Sequence, residues 1–182
     1  VAPLSSVSAA PPPVSNSEIL AAPNVSNILT ITNKPLYNAL KGKIIIIPDS
    51  DNALKSYNGN ILKMRSRYQN LTNDLSKQTK FEDISDPKFK TFMISMANLY
   101  AQAAKELQNL ATPVSLSDNH VKLINNYMSS SEAARNITNT EQDPIKMFTA
   151  LNTLAKNGEE DTALISNIRI TLLSKGIITN SI

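Results

Sequence analysis

Ser50–Leu75, SDNALKSYNGNILKMRSRYQNLTNDL, carries the clearest statement of architecture in the chain. Its apolar positions are Leu54, Tyr57, Ile61, Met64, Tyr68, Leu71 and Leu75. The steps alternate three and four without a miss, which is the seam of a helix packed along its length against a partner. Asp49, Ser50 or Asp51 can cap its start by accepting from free N–H groups.

A second seam follows. Asp86-Pro87 reads as an acidic cap before a proline in the first helical position, a strong start signal. Phe89, Met93, Met96, Tyr100, Ala103, Leu107 and Leu110 then alternate four and three until Pro113. Two sustained seams on neighbouring segments predict antiparallel helices packed at shallow angles.

A third helix is expected from Ser115 or Ser117, through Leu123, Ile124, Tyr127, Met128 and Ala134, to Ile137. Its weak point is Ser129-Ser130-Ser131, because serine competes with the helix for backbone hydrogen bonds. Asp143-Pro144 opens a fourth, with Met147, Phe148, Leu151, Leu154 and Ala155 as its apolar face. Asn157-Gly158 then predicts a break, and Glu159-Glu160-Asp161 resembles the acidic first turn of a new helix. Ala163, Leu164, Ile165, Ile168, Leu172 and Leu173 continue the apolar face to Gly176. The predicted fold is all-α, an up-and-down bundle of four to five helices over residues 49–182.

The first 48 residues differ in kind. Residues 1–33 carry one charged side chain, Glu18, and seven of the chain's 10 prolines stand at or before Pro48. Such a segment cannot bury a core of its own, so it reads as an extended arm whose role is contact. Ile19 and Leu20 suit one helical turn ended by Pro23. Ile28, Leu29 and Ile31 alternate with threonines in a strand-like run. Pro35–Leu40 suits a short helix closed near Gly42. Ile44-Ile45-Ile46-Ile47 reads as a short isolated strand ended by Pro48. A lone strand needs a partner, and either the arm or another chain is expected to supply it. These nine residues, Ile19, Leu20, Ile28, Leu29, Ile31 and Ile44 through Ile47, are the candidate interaction residues.

Composition excludes several chemistries. The 182 residues include no Cys, which removes disulfides, thiolate metal sites and thiol catalysis together. The four glycines are scattered, so no phosphate-cradling loop exists. The longest aliphatic run, Ile44–Ile47, is far short of a bilayer span. A start at Val1-Ala2-Pro3 without Met is expected of a processed chain, most simply one left after removal of a signal peptide, while tag removal or an organellar presequence would leave the same trace. The triplets at Asn24, Asn70 and Asn136 match the glycosylation pattern, as chance predicts in so Asn-rich a chain.

Candidate sites have bland competitors. His120 is the chain's only histidine. Ser117, Asp118 and His120 point to different faces of a helix and cannot form a triad, so a packing or capping histidine is expected. Asp49 and Asp51 open like a calcium loop, but Ala53 and Leu54 occupy the positions that need a ligand and a glycine. N-cap duty explains both carboxylates. Glu159, Glu160 and Asp161 diverge around a helix and do not converge on a metal.

Lys63, Arg65 and Arg67, with Lys55 and Lys77, form the one basic stripe. The net charge of +3 is mild, and nucleic-acid binders concentrate charge more heavily. A solvated stripe is expected, with no nucleic-acid partner. Met93 and Met96 at seam spacing read as core. No cofactor, metal or catalytic residue is expected.

The C-terminal half, from Pro113 through His120-Val121-Lys122-Leu123-Ile124-Asn125 to Asp143-Pro144 and Leu151, resembles an uncharacterised family of small helical envelope proteins. These come from bacteria with very small genomes and are often encoded among pilus- or secretion-type genes. The shared pattern is a Pro, a helix with one His, a polar interval, then Asp-Pro opening a last helix. The resemblance implies an exported, all-helical, non-enzymatic component and transfers no functional residues. The expected function is therefore an exported structural or assembly subunit of a cell-surface or filamentous assembly. Its arm packs on a neighbouring subunit, a copy of itself or another protein. The alternative is a secreted or periplasmic binding module, with a bundle groove as its recognition surface and the arm as a spacer.

Overall fold

Ser50 starts the first helix. Its backbone is extended and its hydroxyl accepts from the Ala53 N–H at 3.1 Å, so Ser50, and neither flanking aspartate, is the cap. The computed structural model describes residues 44–138 and 143–178. Ile19, Leu20, Ile28, Leu29 and Ile31 lie outside these residues, as does the short helix expected at Pro35–Leu40.

Four long helices make up most of the described chain: α1 (Asp51–Gln78), α2 (Pro87–Gln108), α3 (Ser117–Thr138) and α4 (Pro144–Ser174). Asp86 and Asp143 cap α2 and α4 as the Asp-Pro pairs predict, each carboxylate accepting from N–H groups just inside its helix. Gly176 closes α4 with φ +69°, a conformation that favours glycine. Its N–H donates to the Leu173 carbonyl and that of Ile177 to Leu172, which satisfies two carbonyls at the helix end.

The helices run up and down. One core joins the N-terminal half of α1 (Leu54, Tyr57, Ile61, Met64) to Leu107 near the end of α2, Val121 and Ile124 of α3, and Ile168 and Leu172 of α4. A second core, at the far end, consists of Met93 and Ala97 of α2, Ala133, Ala134 and Ile137 of α3, and Ala150 of α4. It draws no residue from α1. The seam of α1 is therefore buried to Met64 and then opens: Tyr68 and Leu75 are half-buried and Leu71 is exposed. Periodicity identified the face correctly, but its last two turns find less cover than a continuous seam predicts.

Alanine and serine bring α3 close to its neighbours. The Ser131 hydroxyl donates to the Ala97 carbonyl across α2 and α3 at 2.8 Å. Ser130 donates to the Asn126 carbonyl one turn back, at 2.9 Å. The serine run thus stays helical because its hydroxyls are used inside the bundle.

The break expected at Gly158 is absent, and α4 is one 31-residue helix. Buried Asn157 holds it against α3, donating to the Ser129 and Ser130 hydroxyls at 3.0 and 3.1 Å. A mid-helix glycine costs only about 1 kcal/mol relative to alanine, so these contacts override it.

The Ile44–Ile47 segment is not isolated. Strand β1 (Ile46–Ile47) pairs in parallel with β2 (Thr112–Pro113), in the connection between α2 and α3. Thr112 N–H donates to the Ile45 carbonyl at 2.8 Å. The partner is therefore neither the arm nor another chain. A two-residue strand is too short to show a period, and Pro113 has no N–H with which to extend the ladder. Ile44 is buried in the first core, so this part of the predicted 1–48 arm packs on the bundle.

His120 ties three helices together. Its Nε2 lies 2.9 Å from the Leu107 carbonyl, which can only accept, so Nε2 carries the proton. Nδ1 is then the acceptor of the Tyr57 hydroxyl, also at 2.9 Å. The imidazole is a core histidine that satisfies a carbonyl near the end of α2.

A pH dependence comes with that burial. It pushes the His120 pKa down from 6.5 to about 4, against a smaller opposing effect of the Leu107 hydrogen bond. The unfolded chain binds the extra proton between these values, so stability is full above pH 6.5 and falls as pH drops towards 4. The loss is roughly 3 kcal/mol at about 1.36 kcal/mol per pKa unit. The lowered carboxylates of Asp49, Asp83 and Asp143 add stability that is present above their ordinary value of 3.8 and is lost as pH falls through and below it. Urea titrations from about pH 4 to about pH 7 should show this slope in the native protein and lose it in His120→Gln. Separately, a Cβ at Gly158 would meet nothing within 4 Å. Gly158→Ala should raise stability by up to about 1 kcal/mol.

Candidate functional site

Two places on the bundle carry features beyond packing. The first is the corner where β1 meets β2. Asp49, one residue before the α1 cap, accepts from the Ser115 N–H at 3.1 Å and from Lys175 Nζ at 2.9 Å. It thereby clamps the start of α1 to the turn before α3 and to the end of α4. These contacts, the Lys175 hydrogen bond foremost, hold its carboxyl below the ordinary value. At this corner Ile45 is 51% exposed, Ile46 43% and Val114 56%. Of the four candidate interaction residues that are described, Ile44 is core, Ile47 is half-buried, and Ile45 and Ile46 face outward.

The second place is a cavity of about 250 Å³ lined by all four helices, where α1 loses its cover. Arg65, on α1, lies across it. Its Nη1 donates to both carboxylate oxygens of Asp161 on α4, at 2.8 and 2.7 Å, and to the Tyr127 hydroxyl on α3 at 3.2 Å. Burial, and then the charge of Asp161, push the Tyr127 hydroxyl pKa up, so it stays protonated. The Tyr100 ring stacks on that of Tyr127 with centroids 6.2 Å apart. Asn126 also lines the cavity and donates from Nδ2 to the Asn157 carbonyl at 2.9 Å.

These contacts account for the basic stripe. Arg65 is paired across the bundle, and Arg67 pairs with Glu106 while lying over the Tyr68 ring, 5.0 Å from its centroid. Lys55, Lys63 and Lys77 are exposed. Asp161 is thus a bundle contact, whereas Glu159 is exposed and diverges from it. No pattern in the sequence brings Arg65, Tyr127 and Asp161 together. Arg65 and Asp161 are 96 positions apart, and only helix register joins them.

Among the described residues, no group of three or more His, Asp or Glu side chains can hold a metal ion, and no helix is long and apolar enough to cross a membrane. The chain matches no family model, no curated protein and no solved structure.

The two arginine pairs should differ in strength. Arg65 and Asp161 side chains are 30% and 17% exposed. A double-mutant cycle with Arg65→Met and Asp161→Asn should therefore give a coupling of about 1.5–3 kcal/mol. The same cycle on exposed Arg67 and Glu106 should give about 0.2–1 kcal/mol and fall with added salt.

Proposed function

We propose that this chain is a non-enzymatic structural or assembly subunit whose N-terminal arm binds a neighbouring subunit, in the simplest case another copy of itself. The observation that carries this reading is the apolar corner formed by Ile45, Ile46 and Val114 beside a two-stranded sheet. Large aliphatic side chains clustered on a surface are the usual mark of a contact site. On its outer side β1 has no strand partner among the described residues, which offers main-chain groups to an added strand. The run Ile28-Leu29-Thr30-Ile31-Thr32 of a second copy has the alternation such an addition needs. An exported setting is part of the proposal and rests on the resemblance of the C-terminal half.

Deleting residues 1–33 should abolish assembly in sedimentation velocity while leaving helicity by circular dichroism nearly intact. In the full chain, Ile46→Asp should do the same, because Ile46 is exposed and its replacement leaves the core whole. Assembly of the truncated protein at full-length affinity would overturn the arm's role. The second reading, a binding module, is favoured by the cavity between the helices.

A further inference from the structure

Helix α4 carries a second line of apolar and small residues, outside both cores. Its buried residues are Ala150, Asn157, Leu164, Ile168 and Leu172. Pro144, Phe148, Leu151, Ala155, Gly158 and Thr162 follow another line, in steps that alternate four and three, and all six are exposed. Side chains so spaced share one face of a helix. Phe148 is 64% exposed and Leu151 41%, with Ile145 at the edge of the face at 73%. Large apolar groups grouped on a surface in this way mark a contact site.

The distribution of sizes along this face says what fits it. The first half is large and the second half small. Reversing the helix about Thr153 brings Phe148 to the level of Gly158, Leu151 to that of Ala155 and Pro144 to that of Thr162. A second copy of α4 laid antiparallel therefore sets each large side chain against a small one, as knobs entering holes require. The contact is then isologous, the same patch on both partners, and closes as a two-fold dimer.

Gly158 finds a reason in this arrangement. A mid-helix glycine costs about 1 kcal/mol relative to alanine. Its φ is not positive, and a Cβ there would meet nothing within 4 Å in its own chain. Neither backbone geometry nor packing within the chain requires a glycine. The Phe148 ring of a second copy, arriving at the same level, does.

Charge does not oppose the contact. Lys146 and Lys156 lie off this face by helical periodicity, and Lys146 pairs with Asp143 at 3.4 Å. Glu159 flanks the face at the level of Ile145 of the second copy, so no two like charges meet. Two identical faces approach without repulsion only when they are neutral in this way.

We propose that the exposed face of α4 pairs with the same face of a second copy of this chain, antiparallel, with Phe148 seated over Gly158. The contact runs over residues 144–162, about 27 Å. A single helix pair is small beside the roughly 1,600 Å² of a standard interface, so the dimer is reversible. It stands apart from the corner at Ile45 and Ile46 and does not depend on the arm, which carries growth beyond the pair.

The chain has no cysteine, so one introduced thiol reports on geometry alone. Asn152 is exposed and lies one residue from the two-fold axis. In the full chain, a short bismaleimide should link Asn152→Cys to a second copy at least tenfold more efficiently than Thr162→Cys. The two Thr162 positions of the antiparallel pair stand about 27 Å apart. Gly158→Leu should cut the Asn152→Cys link at least fivefold with an unchanged circular dichroism spectrum, and adding Phe148→Ala should restore it. The link should also persist in the full chain carrying Ile46→Asp, which removes the corner contact and leaves this one. Equal linking of Asn152→Cys and Thr162→Cys would overturn the antiparallel register. An undiminished link in Gly158→Leu would overturn the seat of Phe148. Loss of the link with Ile46→Asp would overturn a separate interface. No link at about 1 mM protein would overturn the second copy as the occupant.

Discussion

The bundle depends on one neutral imidazole. His120 gives its single N–H to a carbonyl near the end of α2 and accepts the Tyr57 hydroxyl of α1, while its own backbone belongs to α3. Three helices meet at these two hydrogen bonds, in a core where an unpaired polar atom is costly. The same contacts set the register of α1 against α2. With Tyr57 held at this level, Leu54, Ile61 and Met64 fall into the first core.

That register has a consequence at the other end. The second core is made by α2, α3 and α4, with alanine and serine permitting close approach. Helix α1 has no place in it, and the cavity opens where α1 loses its partners. Arg65, reaching from α1 to Asp161 and Tyr127, spans the gap with charge and hydrogen bonds. One end of the molecule is therefore tightly packed around His120, while its middle keeps a space with aromatic walls.

Much of this was legible in the sequence, and the failures have definite causes. Alternating three- and four-residue steps identified the buried face of α1 and α2 because side chains so spaced lie on one side of a helix. They did not reveal how far the partner surface extends, so Leu71 was expected in the seam and is exposed. Asn157-Gly158 read as a break because local signals favour one. The chain stays helical there because Asn126, Ser129 and Ser130, from another helix, hydrogen-bond to the Asn157 carbonyl and side-chain amide nitrogen. The Ile44–Ile47 segment was expected to pair with the arm or another chain rather than with the bundle, since Thr112–Pro113 carries no strand pattern at two residues.

The helices, the capping roles of Asp86 and Asp143, the up-and-down order and the contrast between the first 48 residues and the rest could all be read from residues alone. These are local properties, carried by periodicity, proline position and composition. Three features needed the packed molecule: the pairing of β1 with the turn before α3, the meeting of Arg65 with Asp161, and the cavity that four helices leave beside Gly158. Each joins residues distant in the chain through the rotation and height of packed helices, which no local pattern encodes.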